Sequence, residues 1–421
     1  MKNTMVRQQT KRQKSNATGI WGNKNQLFKD KSLSQAIIIS LTSKLFLTLT
    51  LVISFYLFPQ RTNFNYTQFV LFTQKLNTFV NFLLGAWANF DGIHYLSIAG
   101  RGYVDEGRFL PLYPILIKIF SFNAPAYSVL QLIIAQLISF TSLIIFFKYL
   151  NKLIKLDFNS YQISNILYLI LLFPTSFFLL SIYAESLFLA TTVLSFYFAR
   201  KKHWRRAALF ASLTSITRLT GIVVILVILY EFLVLEKILR KQFVKSFSQI
   251  KKNYINILFF ILSFFPISIY SYFNYLKWQD PLYFIHAHSQ LANSRSTSTL
   301  INPIRTIFRY FKIIFTFDFS IYEYWIATLE LGVFFFAIFL IYKLWQKKIR
   351  VSYLIYSIFS LLLPILSGTF SGLPRYMLTI FPIFIILGQI NFRKIKFLYY
   401  MISGSLLIIL FLLFSRGYFV A

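Results

Sequence analysis

Runs of roughly twenty apolar residues recur along this chain, from residues 35–58 to residues 397–414. Each is long enough to cross the roughly 30 Å hydrocarbon layer of a bilayer. No water is available there for backbone N–H and C=O groups, so a crossing segment closes its own hydrogen bonds as a helix or belongs to a closed barrel. The alternating apolar and polar pattern of barrel strands is absent. The reading is an all-α polytopic membrane protein. Composition agrees: 57% of the 421 residues are hydrophobic, 20% are aromatic, and mean hydropathy is +0.63. A soluble chain of this length carries far more polar surface.

The formal net charge is +31, from 43 basic and 12 acidic residues. Such a balance invites a nucleic-acid partner, but the charge falls in short clusters between apolar runs. That is the positive-inside pattern of a polytopic membrane protein, and it argues against nucleic acid. There is no cysteine, so disulfides and thiolate metal sites are excluded. Residues 1–34 carry Lys2, Arg7, Lys11, Arg12, Lys14, Lys24, Lys29 and Lys31, and read as a disordered, cytoplasmic N-terminus. The apolar run that follows is too long for a signal-peptide core and lacks a small-residue cleavage site. It is expected to be an uncleaved signal anchor.

Charge clusters then set the direction of each crossing. The span 35–58 runs outward into a long first extracytoplasmic loop, residues 59–127. Within that loop 79–90 is apolar but too short to cross, which suggests an interfacial helix, and 113–122 is a second short apolar piece. A span at 128–147 returns to Lys148, Lys152 and Lys155. A hairpin of spans, 161–180 and 185–199, ends at Arg200, Lys201, Lys202, Arg205 and Arg206. Residues 207–235 admit two readings. A single crossing would put the basic cluster 237–252 outside, against the charge rule. A broken hairpin turning at residues 218–221 avoids this, and non-helical backbone at depth is tolerated where protein buries it or it lines a watery cavity. The broken hairpin is favoured. A span at 254–272 leads to a second extracytoplasmic loop, 274–321, holding Asp280, His286, His288 and Arg295. A helix after Pro303 puts Arg305, Arg309 and Lys312 on one face, as expected of an interfacial element. Spans at 322–342, 351–366, 376–387 and 397–414 complete a transmembrane domain of residues 35–414, about nine to twelve helices in all. A short extracytoplasmic tail, 415–421, follows.

On this topology the scarce acids collect outside, three of them in residues 89–114: Asp91, Asp105 and Glu106. Asp91 follows an apolar segment, where desolvation raises a carboxyl pKa and makes a better general base. It also fits a helix N-cap. His94, three residues on, shares its helical face and either orients the carboxylate, contacts substrate or simply lies at the interface. Gly100, Gly102, Gly107, Pro111 and Pro114 punctuate the loop, so Asp105 or Glu106 could approach the first carboxylate. These oxygens make a divalent cation possible, but with no aspartate-rich cluster no metal or other cofactor is required. A lipid-phosphate leaving group needs a cation, best supplied by a guanidinium. Arg218 stands in the broken hairpin, where an ionisable group is costly and by default functional. Arg375 begins a span and is either a phosphate ligand or a snorkelling anchor. Arg101 and Arg108 are weaker candidates. Glu185 either caps the return helix of its hairpin or contacts substrate.

These residues also carry a resemblance. Phe90-Asp-Gly-Ile-His-Tyr-Leu-Ser-Ile-Ala-Gly-Arg-Gly-Tyr103 with Phe109-Leu-Pro-Leu-Tyr-Pro114 resembles the first-loop signature of PIG-V-type mannosyltransferases, polytopic enzymes of the GT-C fold. Residues 173–186, ending Tyr-Ala-Glu-Ser, look like that family's Tyr-Ser-Glu-Ser hairpin. Residues 212–221 are similar to its Thr-Arg-x-x-Gly element, and Asp280-Pro-Leu-Tyr-Phe and Leu373-Pro-Arg-Tyr376 have counterparts. The usual Trp before the aspartate is Phe90 here, and the interval from Glu106 to the proline is shorter. The resemblance implies a GT-C-like bundle in the cell membrane. It implies transfer of a mannosyl group, with inversion, from a polyprenyl-phosphate donor to a lipid or glycan acceptor on the extracytoplasmic side. Asp91 would be the catalytic base, with His94, Tyr103, Glu106, Glu185, Arg218 and Arg375 binding substrate. The Phe-, Ile- and Lys-rich composition points to a bacterial member, with a different acceptor from the glycolipid-anchor precursor of eukaryotes. The alternative is a transporter or flippase of lipid-linked sugars. That class often shows internal repeats with paired interrupted helices, whereas this chain has one interrupted segment and no repeat.

Overall fold

The computed structural model describes residues 31–62, 64, 77–158, 163–238, 243–290, 296, 301–390 and 393–420. The basic segment through residue 30 and Arg295 lie outside them. In chain order the helices are α1 (Lys31–Leu57), α2 (Thr78–Gly85), α3 (Asp91–Arg101), α4 (Leu112–Phe120), α5 (Val129–Asp157) and α6 (Ile163–Leu171). Then come α7 (Glu185–Arg200), α8 (Trp204–Ser215), α9 (Gly221–Leu235), α10 (Phe243–Leu262), α11 (Phe265–Trp278) and α12 (Tyr283–His286). The last are α13 (Pro303–Thr316), α14 (Tyr322–Gln346), α15 (Val351–Ile365), α16 (Leu373–Leu378), α17 (Phe381–Gln389) and α18 (Arg393–Ser415). No strand occurs among the described residues.

Five stretches are long and apolar enough to cross a membrane: α1, α5, Ser248–Trp278 (spanning α10 and α11), α14 and Lys396–Ser415 within α18. Their packing is that of helices in lipid. On α1, Ile38, Leu41, Leu45, Leu49 and Ile53 form an exposed stripe at helical spacing. Its buried side holds Ala36, Ser40, Thr50 and Ser54. Small residues let helix backbones approach, and hydroxyls bond across the contact: Ser54 Oγ lies 2.7 Å from Ser415 Oγ of α18.

The remaining apolar segments are shorter. Of the expected span 161–180, residues 161–162 lie outside the described residues; the rest is not one helix but α6, which ends at Leu171, followed by a 3-10 turn, Ser176–Leu179. The expected span 376–387 is divided between α16 and α17, which restarts with Pro382 in its first turn. An apolar run looks the same in sequence whether lipid or protein surrounds it, and in both segments the side chains around the break are buried by protein. Of the first loop, 59–127, residue 63 and residues 65–76 lie outside the described residues, and residues 77–127 hold α2, a 3-10 turn (Ala86–Ala88), α3 and α4.

α7 is the buried hub, with nearly every side chain from Glu185 to Ala199 inside. It packs on α5, α8 and α9. The segment 204–235 is a helix–turn–helix hairpin. At its open end, Trp204 Nε1 donates to Glu236 Oε1 at 2.9 Å. At its closed end, a Cβ on Gly221 would collide with the Thr214 carbonyl oxygen, so only glycine allows the two helices this contact. The last residue of α7 anchors a second ionic cluster. Arg200 pairs with Asp157 of α5 at 2.9 Å and with Glu231 of α9, and Arg350 reaches the same Asp157 oxygen at 2.9 Å.

Candidate functional site

The other end of α7 carries the candidate site. Segment 86–92 is stitched onto the core before α3 begins. The Ile182 N–H donates to Trp87 O at 3.0 Å, Tyr183 OH to Asn89 O at 2.6 Å, and Asn89 Nδ2 to Phe414 O at 2.6 Å. A Cβ on Gly92 would sit 3.1 Å from Ile182 O. Phe90 is held at φ +59°, a conformation rarely adopted by an L-residue, and strain of that kind clusters at functional sites. Asp91 is therefore the first residue of α3 and not its N-cap. Phe90 occupies the cap position without a side-chain bond.

The Asp91 carboxylate is turned toward Arg375, whose Nη1 donates to Oδ2 at 2.6 Å. Arg375 Nε lies 3.3 Å from Glu185 Oε1, and Arg218 Nη1 donates to the same oxygen. Asp91, Arg375, Glu185 and Arg218 thus form one alternating chain of charge, drawn from α3, α16, the start of α7 and the α8–α9 turn. Side-chain exposure falls along it from 27% at Asp91 to 1% at Glu185, with the two arginines at 12–13%. Both guanidiniums lie over aromatic rings: Arg375 over Phe178, Tyr183 and Tyr376, and Arg218 over Tyr376. Glu185 Oε2 is buried without a hydrogen-bond partner among the described residues. Glu185 does not cap its helix, because Ala184 is the cap residue. Arg375 does not snorkel; its head is inside.

Burial alone would raise the Asp91 carboxyl, as the sequence suggested, but the outcome is the reverse. The charges of Arg375 and Arg108 and the bond from Arg375 outweigh burial and lower it from 3.8 to about 2. The cause lies 284 residues away in the chain, where no local reading could place it.

His94, within the field of Asp91, meets the loop that follows α3. Its Nδ1 lies 4.0 Å from Glu106 Oε1, its Nε2 3.5 Å from Arg108 Nη2, and its ring stacks on Phe109 at 5.1 Å. Burial and the Arg108 charge lower its pKa against the pull of Asp91 and Glu106. Glu106 Oε2 accepts from the Val104 and Asp105 N–H groups at 3.1 and 3.2 Å. Burial raises its carboxyl, but those bonds and the Ser97 hydroxyl leave it lowered. The loop thus sets the Glu106 carboxylate beside His94, 4.0 Å away. Tyr103 acts as a strap: its hydroxyl donates to Phe109 O at 2.7 Å, and its ring packs on Tyr270, Phe273 and Trp278. A cavity of about 500 Å³ opens beside α3, lined by Phe64, Phe90, His94, Ser97, Glu106 and Tyr127 among others.

Asp280, in the loop after α11, pairs with His286 at the end of α12 at 2.6 Å. Among the described residues no group of three or more His, Cys, Asp or Glu gathers as a metal would require. Sequence reasoning missed Tyr183 and Tyr376, the rings that flank the arginines, although both stand inside quoted motifs. It also underrated Arg108, whose partner His94 becomes adjacent only when the loop folds back. Comparison of the chain with protein-family models, curated proteins and solved structures finds no match.

Proposed function

We propose that the chain is a membrane glycosyltransferase, resembling in its motifs the PIG-V-type mannosyltransferases. On this reading it moves a sugar from a polyprenyl-phosphate donor to a lipid or glycan acceptor on the extracytoplasmic side. One observation carries the reading: four distant elements converge to set Arg375 between the Asp91 and Glu185 carboxylates, with Arg218 on Glu185, and a cavity opens along the helix that carries Asp91. A lipid-phosphate sugar donor calls for such an arrangement. Guanidiniums match phosphate oxygens in geometry and charge, and they are strengthened where water is excluded.

In the reaction, Asp91 Oδ takes the proton of an acceptor hydroxyl. That oxygen attacks the anomeric carbon from the face opposite the phosphate, so configuration inverts. The bond from the anomeric carbon to the phosphate oxygen breaks, and its electron pair leaves on the polyprenyl phosphate. Arg375 and Arg218 bind the phosphate and its growing charge. Before donor arrives, Arg375 neutralises Asp91. A phosphate that draws Arg375 toward itself returns basicity to the carboxylate, because burial then acts with less opposition. The cavity with His94 and Glu106 receives the acceptor. A transporter or flippase would also need cations for the phosphate, and it would keep moving lipid-linked sugar with Asp91 replaced by Asn if the carboxylate did no chemistry.

Asp91→Asn keeps the shape and removes the base. With donor and acceptor supplied to membranes, transfer is expected to fall by at least about a hundredfold, the usual scale of general-base catalysis. Full transfer by this variant would sink the assignment.

A further inference from the structure

Arg375 sits on a six-residue helix, α16, so the turn that starts this helix sets where its guanidinium points. The turn is residues 369–372, ending at Gly372 with φ +77°. The Ser371 N–H donates to Thr369 Oγ1 within the turn at 3.1 Å, and two more of its backbone donors are taken by side chains from other helices. The Phe370 N–H donates to Tyr310 Oη at 3.0 Å, and the Gly372 N–H to Glu330 Oε1 at 3.0 Å. Tyr310 OH donates to Glu330 Oε2 at 2.6 Å and lies 3.2 Å from Thr369 Oγ1. The Tyr310 and Phe334 rings each pack on Phe370 with centroids 4.6 Å away. Tyr310 belongs to α13 and is 5% exposed; Glu330 lies inside the long apolar helix α14 and is 4% exposed. A carboxylate in such a helix is costly and by default functional, and a role in packing alone would be served by leucine. None of the sequence motifs includes either residue.

We propose that Glu330 and Tyr310 are positioning residues for Arg375: together they fix the 369–372 turn and so hold the guanidinium between Asp91 and Glu185, the place from which it meets the donor phosphate. The inference rests on the reading of Asp91 and Arg375 as the reacting pair of a glycosyltransferase. The ionisation of Asp91 reports the placement of Arg375 directly. Arg375 faces it from α16, Arg108 from the loop before α4, and His94 from its own helix. Tyr95 and Tyr183 lie within its field, and Glu185 competes for Arg375.

The test uses the full chain in lipid nanodiscs, with Tyr310→Phe, Glu330→Gln and, as reference, Arg375→Gln. The Asp91 carboxyl is titrated by isotope-edited infrared spectroscopy, its band assigned by difference from Asp91→Asn. Both positioning variants should raise the Asp91 midpoint by at least about one pH unit toward the reference, since loss of an adjacent opposite charge is worth about 1–3 units. Transfer kcat should fall at least about tenfold, on the scale of small misplacements of reacting groups, with acceptor KM unchanged. A lowered melting temperature with the Asp91 midpoint unmoved would reduce both residues to structural ties and overturn the proposal. So would variants identical to wild type. If Tyr310→Phe does not fold, the isosteric Glu330→Gln decides alone. Should wild type transfer no sugar while the midpoint moves, the proposed activity falls and the positioning role stands. Should wild type transfer sugar while the midpoint stays, only the positioning role falls.

Discussion

Asp91 stands where two electrostatic influences agree. A carboxylate in the first turn of α3 faces the positive end of the helix dipole, and it also faces Arg375 at 2.6 Å. It therefore stays ionised at any physiological pH. Its carboxyl is lowered from 3.8 to about 2, so pairing contributes stability that is fully present above the unfolded value, near 3.8. That contribution is lost as pH falls through about 2. The unfolding midpoint of wild type, followed against Asp91→Asn, should converge on that of the variant between pH 4 and pH 2, both values set by this shift. A constant gap across that window would mean Arg375 is not its partner. Asp91, Glu185, Arg218 and Arg375 were all legible as candidates from residue type and setting. Their order in the chain of charge was not, because each partner comes from a different element.

α7 is the element that relates the two polar ends of the fold. Glu185 is its first residue and Arg200 its last, about 22 Å apart at 1.5 Å per residue, with buried apolar side chains between them. An ionic cluster at each end pins the helix to its neighbours, while hydrocarbon contacts hold its length. The closed end of the α8–α9 hairpin depends on the Gly221 contact. Gly221→Val forces a branched side chain into the Thr214 carbonyl and should destabilise by about 1–3 kcal/mol, the range for overpacking. Because the same turn carries Arg218, transfer should drop further than stability alone explains; thermal unfolding and activity in one preparation measure both. Helix breaks were partly readable. Residues 218–221 announced theirs through an arginine and a charge-rule conflict, and the turn before residue 185 was expected, whereas the break at residues 172–180 fell inside a segment read as one span.

At the scale of the whole molecule, the helical fold with five helices long enough to cross a membrane leaves sidedness as a proposal with a direct test. The chain has no cysteine, so a single introduced thiol is unambiguous. Val104→Cys, at an exposed position beside the site, should react with a membrane-impermeant maleimide on intact cells. Lys201→Cys, at the exposed far end of α7, should react only after permeabilisation. The opposite pattern would invert the topology and remove the extracytoplasmic site.

The sequence by itself determined that the chain is helical and suited to lipid, because apolar run length and charge clustering are local properties that no fold can alter. It also picked out the polar residues worth attention, because an ionisable group in an apolar setting is expensive wherever the chain goes. Only the tertiary structure decided which of them meet. That Arg375 lowers Asp91 instead of burial raising it, and that Glu330 and Tyr310 hold the turn beneath Arg375, are consequences of contacts between residues far apart in the chain. Contacts of that kind are fixed by packing, and packing leaves no periodicity to read.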